Sequence, residues 1–453
     1  MGALEERMVD YAAALRIGDL PAAVAHQAKR RVIDTIGCAL AAYAAPPVEI
    51  ARKLALPVAG NAGSRVWGSL VRTTPDLAAF ANGCMLRYLD LNDTHRTVDG
   101  SHPSDNLGGI LAVAETVNAS GRAFLEALVV SYELQCRFVD SVPFNDAGWD
   151  QPVPGVMACA LAAGRLLGLS RAQLAQALAL SIIPNLSTYQ TRAGELSMWK
   201  GCAAANGARQ GVFAAQLAAQ GMTGPYEPFD GVFGLWKQTI GKPYDIKPFA
   251  TPKNGRAFGI AQTNLKKYPV RDSCQLPGDV AKALRAKIAA PDIAALRVET
   301  YRSAYKGAVE DRELWAPKTR ETADHSMPVT IALMLVDGAI DPESFEGGRF
   351  RAPEVVDLIG RTKIDIADAF TKAAPAVRNC RITATDRAGR SHEAHIAWTE
   401  ADIARGLSDV ELEGKFLKLT AALGEQKQRD LLQALWRIDE APSVAGIIDR
   451  LAL

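Results

Sequence analysis

Apolar residues recur every three to four positions over most of the first half of the chain, which is the spacing of a buried helix face. The pattern predicts helices over residues 4–16, 21–43, 75–89, 107–117, 123–137, 155–168, 171–183 and 200–221. Thr74 and Pro75 form a typical helix start, with an N-cap followed by proline at the first position. The helix over 200–221 consists mainly of small residues, so we expect it at the centre of a bundle. Since nothing before about residue 245 has the alternation of a strand, the first part is predicted to be all-helical.

The pattern changes after a polar stretch with three prolines at residues 242–255. Residues 294–304 alternate as in a strand, and residues 380–398 resemble a hairpin around the turn sequence D-R-A-G-R. Helical segments at 277–289, 326–337 and 353–359 separate them, and helical spacing returns from Ser408 to the end of the chain. The predicted fold is mainly α, with helical regions at residues 1–250 and 405–453 and a smaller α+β domain at 251–404.

Composition narrows the class of protein. A chain of 453 residues favours two domains, and 51 basic against 50 acidic residues give no reason to expect nucleic acid or an anionic membrane as a partner. The seven cysteines form no C-x-x-C pair and no spacing that suits zinc or an iron–sulfur cluster. We therefore expect no zinc or iron–sulfur site at the cysteines, reduced thiols and a cytoplasmic protein. No segment reads as a signal peptide, a membrane span or a nucleotide-binding loop.

The densest polar stretch lies between two apolar segments, at residues 88–106. Asp90, Thr94 and His102 stand out because a carboxylate beside a histidine fixes its tautomer and suits it to act as a base near pH 7. The alternative is that the aspartates cap helices while the histidine is a satisfied buried polar group. His95 and Arg96, on the same loop, are interpreted as peripheral.

Three further clusters could contribute charge to a site. Lys200 begins the small-residue helix, where an anion would be favoured, but it could also be a solvated surface lysine. A basic run after the domain boundary could bind carboxylates or could form a solvated face; it contains Lys266, Lys267 and Arg271. A third group precedes a helix and could instead serve as its cap; it contains Arg320, Asp324 and His325.

Four motifs in order along the chain resemble those of the MmgE/PrpD family, which includes 2-methylcitrate dehydratases and cis-aconitate decarboxylases. They are D-L-N-D-T with H-P-S-D-N-L-G (90–108), W-K-G-C-A-A-A-N-G-A-R-Q-G (199–211), L-K-K-Y-P (265–269) and T-R-E-T-A-D-H-S-M-P (319–328). The resemblance implies a large helical domain built from both chain ends, an inserted α+β lid, a homodimer and a site in the interdomain cleft. It also implies that no metal or organic cofactor is needed.

The resemblance assigns catalytic roles to residues of this chain. Those residues are Asp90, Thr94, His102, Lys200 and, with a one-residue ambiguity, Lys266. Residues predicted to bind the substrate are Lys267, Arg271, Arg320, His325 and Tyr305, with Tyr301 as an alternative to Tyr305.

One departure from the family pattern bears on the reaction. A histidine used by the decarboxylases should fall near W-D-Q-P (149–152), where this chain has Asp150 and Gln151. The sequence therefore predicts a cofactor-independent hydro-lyase that dehydrates a small tricarboxylate such as 2-methylcitrate. The alternatives are a cis-aconitate decarboxylase, a dicarboxylate epimerase of the same family, and an inactive helical dimeric binding protein.

Overall fold

The computed structural model describes residues 2–58, 60, 62–69 and 71–453, and the fold is mainly α. Most helices of the first part lie close to the segments that apolar spacing predicts: Ala3–Ala14, Ala22–Ala41, Pro75–Tyr88, Leu107–Thr116, Gly121–Val139, Pro152–Leu166, Arg171–Ile182 and Ala203–Ala219. Three further helices were not predicted: Pro46–Ala55, Leu235–Thr239 and Gly259–Gln262. Seryl N-caps at Ser120 and Ser170 accept hydrogen bonds from the first turn and fix where two of the predicted helices begin.

The prediction that the first part lacks strands was wrong in detail. Ser64–Arg65 pairs with Arg72–Thr73, and His95–Arg96 pairs with Gly100–Ser101, both antiparallel. Strands of two residues are too short to produce a measurable alternation, which is why the sequence pattern did not predict them. The second pair matters because it folds the polar loop back on itself between Asp90 and His102.

The small-residue helix Ala203–Ala219 packs against four neighbouring helices, as expected for a central position. At Gly211 a Cβ atom would lie 2.8 Å from the carbonyl oxygen of Val156, and at Gly83 it would lie 2.7 Å from the Cβ of Ala205. Glycine is therefore required where these backbones meet.

A four-stranded sheet lies in the second part of the chain. Its order is Thr362–Ile366, Ile293–Thr300, Val377–Asp386, Ser391–Thr399, and only the first pair is parallel. The hairpin prediction is confirmed, with Gly389 at φ +80° in its turn. The strand predicted over 294–304 ends at Thr300, and the short edge strand was missed. The accompanying helices are Asp272–Arg285, Arg302–Ala308, Arg320–Ala323, Met327–Asp337, Pro353–Gly360 and Asp368–Ala373.

Buried apolar side chains form two clusters. The larger one draws on residues 8–265 together with 407–451, and the smaller one on residues 270–394. The last helices of the chain are Glu400–Arg405, Asp409–Leu419, Glu425–Trp436 and Ala445–Ile448. Helix Asp409–Leu419 packs against Ala22–Ala41, so residues from the end of the chain share the larger core with residues from its beginning.

All seven cysteines are buried and free. Among the described residues, no helix combines the length and the apolar character needed to cross a membrane.

Candidate active site

Asp90 lies at the centre of a buried group of charges. Helix Pro75–Tyr88 ends just before it, and the backbone of Asp90 adopts φ 51°, a left-handed conformation that costs energy for a residue other than glycine. Its carboxylate accepts a hydrogen bond from Arg87 and lies 2.6 Å from Nζ of Lys266 and 3.5 Å from Nζ of Lys200. The end of the helix and the strained backbone thus place one carboxylate among three cations.

These cations decide the charge state of Asp90. Burial would raise the pKa of its carboxyl, but the charges of Arg87, Lys266 and Lys200 outweigh burial and hold that pKa well below its usual range. Asp90 is therefore ionised at neutral pH and holds the lysine ammonium groups in place.

Asp324 forms a second buried ion-paired centre. Its carboxylate accepts hydrogen bonds from Nζ of Lys200 at 2.6 and 2.8 Å, and lies 2.5 Å from Nδ1 of His325 and 3.2 Å from Arg320. It follows the short helix Arg320–Ala323, and Ser326 caps the next helix. The capping interpretation holds for Ser326, whereas Asp324 joins the charge network.

His102 is oriented by the backbone rather than by Asp90, which corrects the sequence-based interpretation. Its Nδ1 lies 2.5 Å from the carbonyl oxygen of Asp93, and its backbone N–H donates to Oε1 of Gln151 at 2.6 Å. Because a carbonyl oxygen only accepts, Nδ1 carries the proton and Nε2 keeps its lone pair. Burial, together with the charges of Arg87 and Lys266, holds the pKa of His102 well below its usual range, so the ring is neutral at pH 7.

A cavity of about 40 Å³ lies beside His102 and Asp90. Four arginines and three aspartates line it: Arg87, Arg96, Arg192, Arg271, Asp90, Asp150 and Asp272. With two lysines directly behind Asp90, the formal charges around the cavity are positive in sum, which favours an anionic ligand.

The structure brings most of the sequence-predicted residues together. The cavity is lined by Asp90, Thr94, His102, Arg271 and His325. Lys200 and Lys266 are each 1% exposed and contact Asp90 from behind, and Arg320 contacts Asp324. Thr94 pairs through its backbone with Asn264, which ties the polar loop to the segment that carries Lys266.

Two predicted substrate-binding residues lie elsewhere. Lys267 is partly exposed, pairs with Asp279 at 3.0 Å and places its ammonium over Trp398, so the ambiguity between the two adjacent lysines resolves geometrically to Lys266. Tyr305 packs against the smaller core and does not line the cavity, and neither does Tyr301. These residues do not line the cavity, and their assignment to substrate binding remains a prediction.

Several residues that line the cavity were not predicted from the sequence. Arg87 stands three residues before Asp90, a helical spacing that could have indicated the pair. Tyr189 and Arg192 belong to the short 3₁₀ helix Tyr189–Arg192, which carries no periodic signal. The hydroxyl of Tyr189 accepts from Arg271 at 3.4 Å, and the arginine charge lowers the pKa of Tyr189.

The donor atoms of Asp90, Asp324 and His325 lie within 4.8 Å of one another, a grouping that could hold a metal ion. Lys200 contacts both carboxylates and Lys266 contacts the first. Because these ammonium groups already neutralise the carboxylates, we assign the grouping to ion pairing.

Comparison with known proteins places this chain in a family. The model of the MmgE/PrpD N-terminal domain matches residues 6–247, and that of the MmgE/PrpD C-terminal domain matches residues 268–439. The chain belongs to the MmgE/PrpD family. At that level the resemblance drawn from the motifs is confirmed, and so is the prediction of a lyase.

Named relatives carry two kinds of activity. The chain is 30% identical over 362 residues to a 2-methylcitrate dehydratase of Cupriavidus necator, covering 74% of this chain and 72% of the relative. It is 28% identical to a probable 2-methylcitrate dehydratase of Saccharomyces cerevisiae, covering 72% and 67%. It is 26% identical to a cis-aconitate decarboxylase of Homo sapiens, covering 78% and 74%. Both names describe lyases, and they differ in the bond that is broken.

Proposed function

We propose that this member of the family is a cofactor-independent hydro-lyase that dehydrates a small tricarboxylate such as 2-methylcitrate. The observation that carries the proposal is a neutral histidine with a free Nε2, His102, at a cavity lined by four arginines. The similarity to 2-methylcitrate dehydratases supports the choice of reaction.

Dehydration breaks one C–H bond and one C–O bond and forms a C=C bond and water. In the proposal, Nε2 of His102 takes the proton next to a substrate carboxylate, and the electron pair of that C–H bond forms the double bond as the hydroxyl leaves. The imidazolium then returns its proton to the departing hydroxyl. A histidine whose pKa is low forms a strongly acidic imidazolium, which suits the second step.

Positive charge lowers the barrier of the first step. Removing a proton beside a carboxylate builds enolate-like negative charge, which preorganised cations stabilise without reorganisation. We assign this role to Lys200 and Lys266, and we assign carboxylate binding to Arg271. Asp90 and Asp324 keep both lysines fixed, and Thr94 lines the wall beside them.

Substrate entry needs a movement. A cavity of about 40 Å³ is far below the roughly 300–1,000 Å³ that is typical of ligand pockets. We propose that residues 251–404 form a lid domain that opens for the substrate, and that the protein works as a homodimer in the cytoplasm. Sedimentation equilibrium tests the dimer.

Decarboxylation of cis-aconitate is the second candidate, favoured by the similarity to the human decarboxylase. The histidine that the resemblance implies for the decarboxylases is absent from residues 149–152 of this chain. In that segment, Gln151 accepts a hydrogen bond from the backbone N–H of His102. This contact keeps the loop in place but offers no acid or base, so dehydration is the better supported reaction.

A substrate panel tests the proposal. Purified protein is incubated with 2-methylcitrate, citrate and cis-aconitate, and the products are identified by mass spectrometry and NMR. An unsaturated tricarboxylate formed from 2-methylcitrate supports the hydro-lyase. Release of CO₂ from cis-aconitate, without dehydration of the other two, supports the decarboxylase. No turnover by folded protein contradicts both reactions and leaves the binding protein or a different substrate.

A further inference from the structure

Arg192 and Asp150 form a pair in which each partner keeps one unused polar atom. Nε of Arg192 donates to Oδ1 of Asp150 at 3.1 Å, and Nη1 donates to the carbonyl oxygen of Lys200 at 2.8 Å. Nη2 of Arg192 and Oδ2 of Asp150 are both buried and have no hydrogen-bond partner. One donor and one acceptor of this ion pair thus lack a hydrogen-bond partner.

Both residues line the cavity and both are deeply buried, with 7% of the Arg192 side chain and 2% of the Asp150 side chain exposed. A buried polar atom without a partner destabilises the fold, and more so when it belongs to a charged group. Two such atoms at one cavity wall therefore point to a ligand that supplies the missing acceptor and the missing donor.

The backbone around the pair is held firmly. The backbone N–H of Asp150 donates a hydrogen bond to the carbonyl oxygen of Ser187 at 2.8 Å, and Trp149 forms an antiparallel β-bridge with Thr188. Oδ1 of Asp150 also accepts from the backbone N–H of Gln151 at 2.9 Å. Since the guanidinium is tied at two of its three nitrogens, the third is fixed in position before a ligand arrives.

We propose that Arg192 and Asp150 form a subsite for a hydroxycarboxylate, in which Nη2 of Arg192 donates a hydrogen bond to a carboxylate and Oδ2 of Asp150 accepts a hydrogen bond from the hydroxyl. The inference deepens the proposed function because it names the class of substrate. A hydroxy acid satisfies both open atoms. An unsaturated acid without a hydroxyl leaves Oδ2 of Asp150 unpaired and facing a carboxylate, so the subsite favours the substrate of a dehydration over cis-aconitate.

The test compares two ligands that differ in one hydroxyl: citrate and tricarballylate, measured by isothermal titration calorimetry at one pH and salt concentration. The wild type is expected to bind citrate about tenfold to a hundredfold more tightly, as a hydrogen bond to a charged group implies. Arg192→Gln should weaken the binding of both ligands by a similar factor. Asp150→Asn should weaken the binding of citrate and should not weaken the binding of tricarballylate, which removes the preference.

The control is Arg171→Gln, because Arg171 is also paired with an aspartate, Asp10 at 2.5 Å, but is about half exposed and does not line the cavity. It should keep both affinities. General loss of structure would weaken both ligands in every variant, so the selective effect of Asp150→Asn identifies the hydroxyl contact.

Equal affinity of the wild-type protein for citrate and tricarballylate would overturn the proposed subsite. Unchanged binding of both ligands by Arg192→Gln would overturn it as well. The measurement is separate from turnover. A hydroxyl preference in a protein that dehydrates nothing overturns the proposed reaction and keeps the subsite. Dehydration of 2-methylcitrate without that preference overturns the subsite alone.

Discussion

The ring nitrogen Nδ1 of His102 lies 2.5 Å from the carbonyl oxygen of Asp93, and this contact leaves Nε2 free to accept a proton. Burial and the charges of Arg87 and Lys266 lower the pKa of the ring well below 6.5. Only the neutral form can act as a base. We therefore expect kcat/KM, corrected for ionisation of the substrate, to stay level as the pH falls from 7 through 6.5 and to decline only at lower pH.

His102→Gln should lower kcat by a factor of about 10² to 10⁴, the usual contribution of a general base. His392→Gln is the matched control, because this histidine pairs with Asp386 on the sheet and does not line the cavity. An acidic limb centred at or above pH 6.5, or normal turnover in folded His102→Gln, would remove His102 from the role of base.

The ion pair between Asp90 and Lys266 should be strongly coupled. Asp90→Asn leaves the buried charges of Arg87 and Lys266 without their carboxylate, and we expect a loss of about 3–5 kcal/mol in the free energy of unfolding. The double variant Asp90→Asn/Lys266→Met should lose less than the sum of the two single variants. Urea denaturation of the four proteins gives the coupling energy.

The same pair predicts a pH dependence of stability. The pKa of Asp90 is lowered in the folded protein, so its ionised form stabilises the fold above the ordinary carboxyl range. This contribution is lost as the pH falls towards the lowered pKa. The difference in the free energy of unfolding between wild type and Asp90→Asn should therefore shrink below about pH 4. A difference that does not change with pH would contradict this prediction, and additive effects of the two single variants would contradict the coupling between Asp90 and Lys266.

Removing the charge of Lys200 should lower the rate of the reaction. The ammonium group is buried between Asp324 and Asp90, so Lys200→Ala would leave a cavity as well as an unpaired Asp324. Lys200→Met keeps the volume and removes only the charge. We expect kcat to fall by a factor of about a hundred or more, because in the proposed function Lys200 is one of the two preorganised cations that stabilise the developing negative charge.

The variant's fold is checked by circular dichroism, and Lys237→Met serves as the control because this lysine is exposed on a short helix. If folded Lys200→Met retains near-normal kcat, the ammonium group does not stabilise the developing charge.

Local sequence patterns predicted several parts of the fold and of the candidate site. The 3.6-residue spacing predicted most of the helices, the turn sequence around Gly389 predicted the hairpin, and the dense polar loop indicated Asp90 and His102. Arg192 and Tyr189 could not be predicted as site residues, because they lie in a segment without hydrophobic periodicity. Only the folded structure shows that they line the cavity. The sequence also could not show that a backbone carbonyl orients His102, because every residue carries one.

Lys415 joins two segments of the site through a single ammonium group. Its Nζ donates to Oδ1 of Asp34 at 2.5 Å, and to the carbonyl oxygens of Leu91 and Lys266 at 2.9 Å each. Leu91 follows Asp90 directly, so one cation fixes the backbone on both sides of the Asp90–Lys266 pair. We expect Lys415→Met to lower kcat by up to roughly a hundredfold, because small displacements of catalytic groups have effects of that size.

The double variant Lys415→Met/Asp34→Asn separates positioning from stability. Lys415→Met alone leaves the buried carboxylate of Asp34 unpaired and should destabilise the fold, whereas neutralising Asp34 as well should restore much of the lost stability. The two carbonyl oxygens remain untethered in the double variant, so kcat should stay low while thermal stability recovers. Lys418→Met, on the same helix but paired at the surface with Asp341, should change neither quantity. If kcat recovers together with stability, Lys415 acts only through the fold, because its contacts to Leu91 and Lys266 would then have no separate effect on the reacting groups.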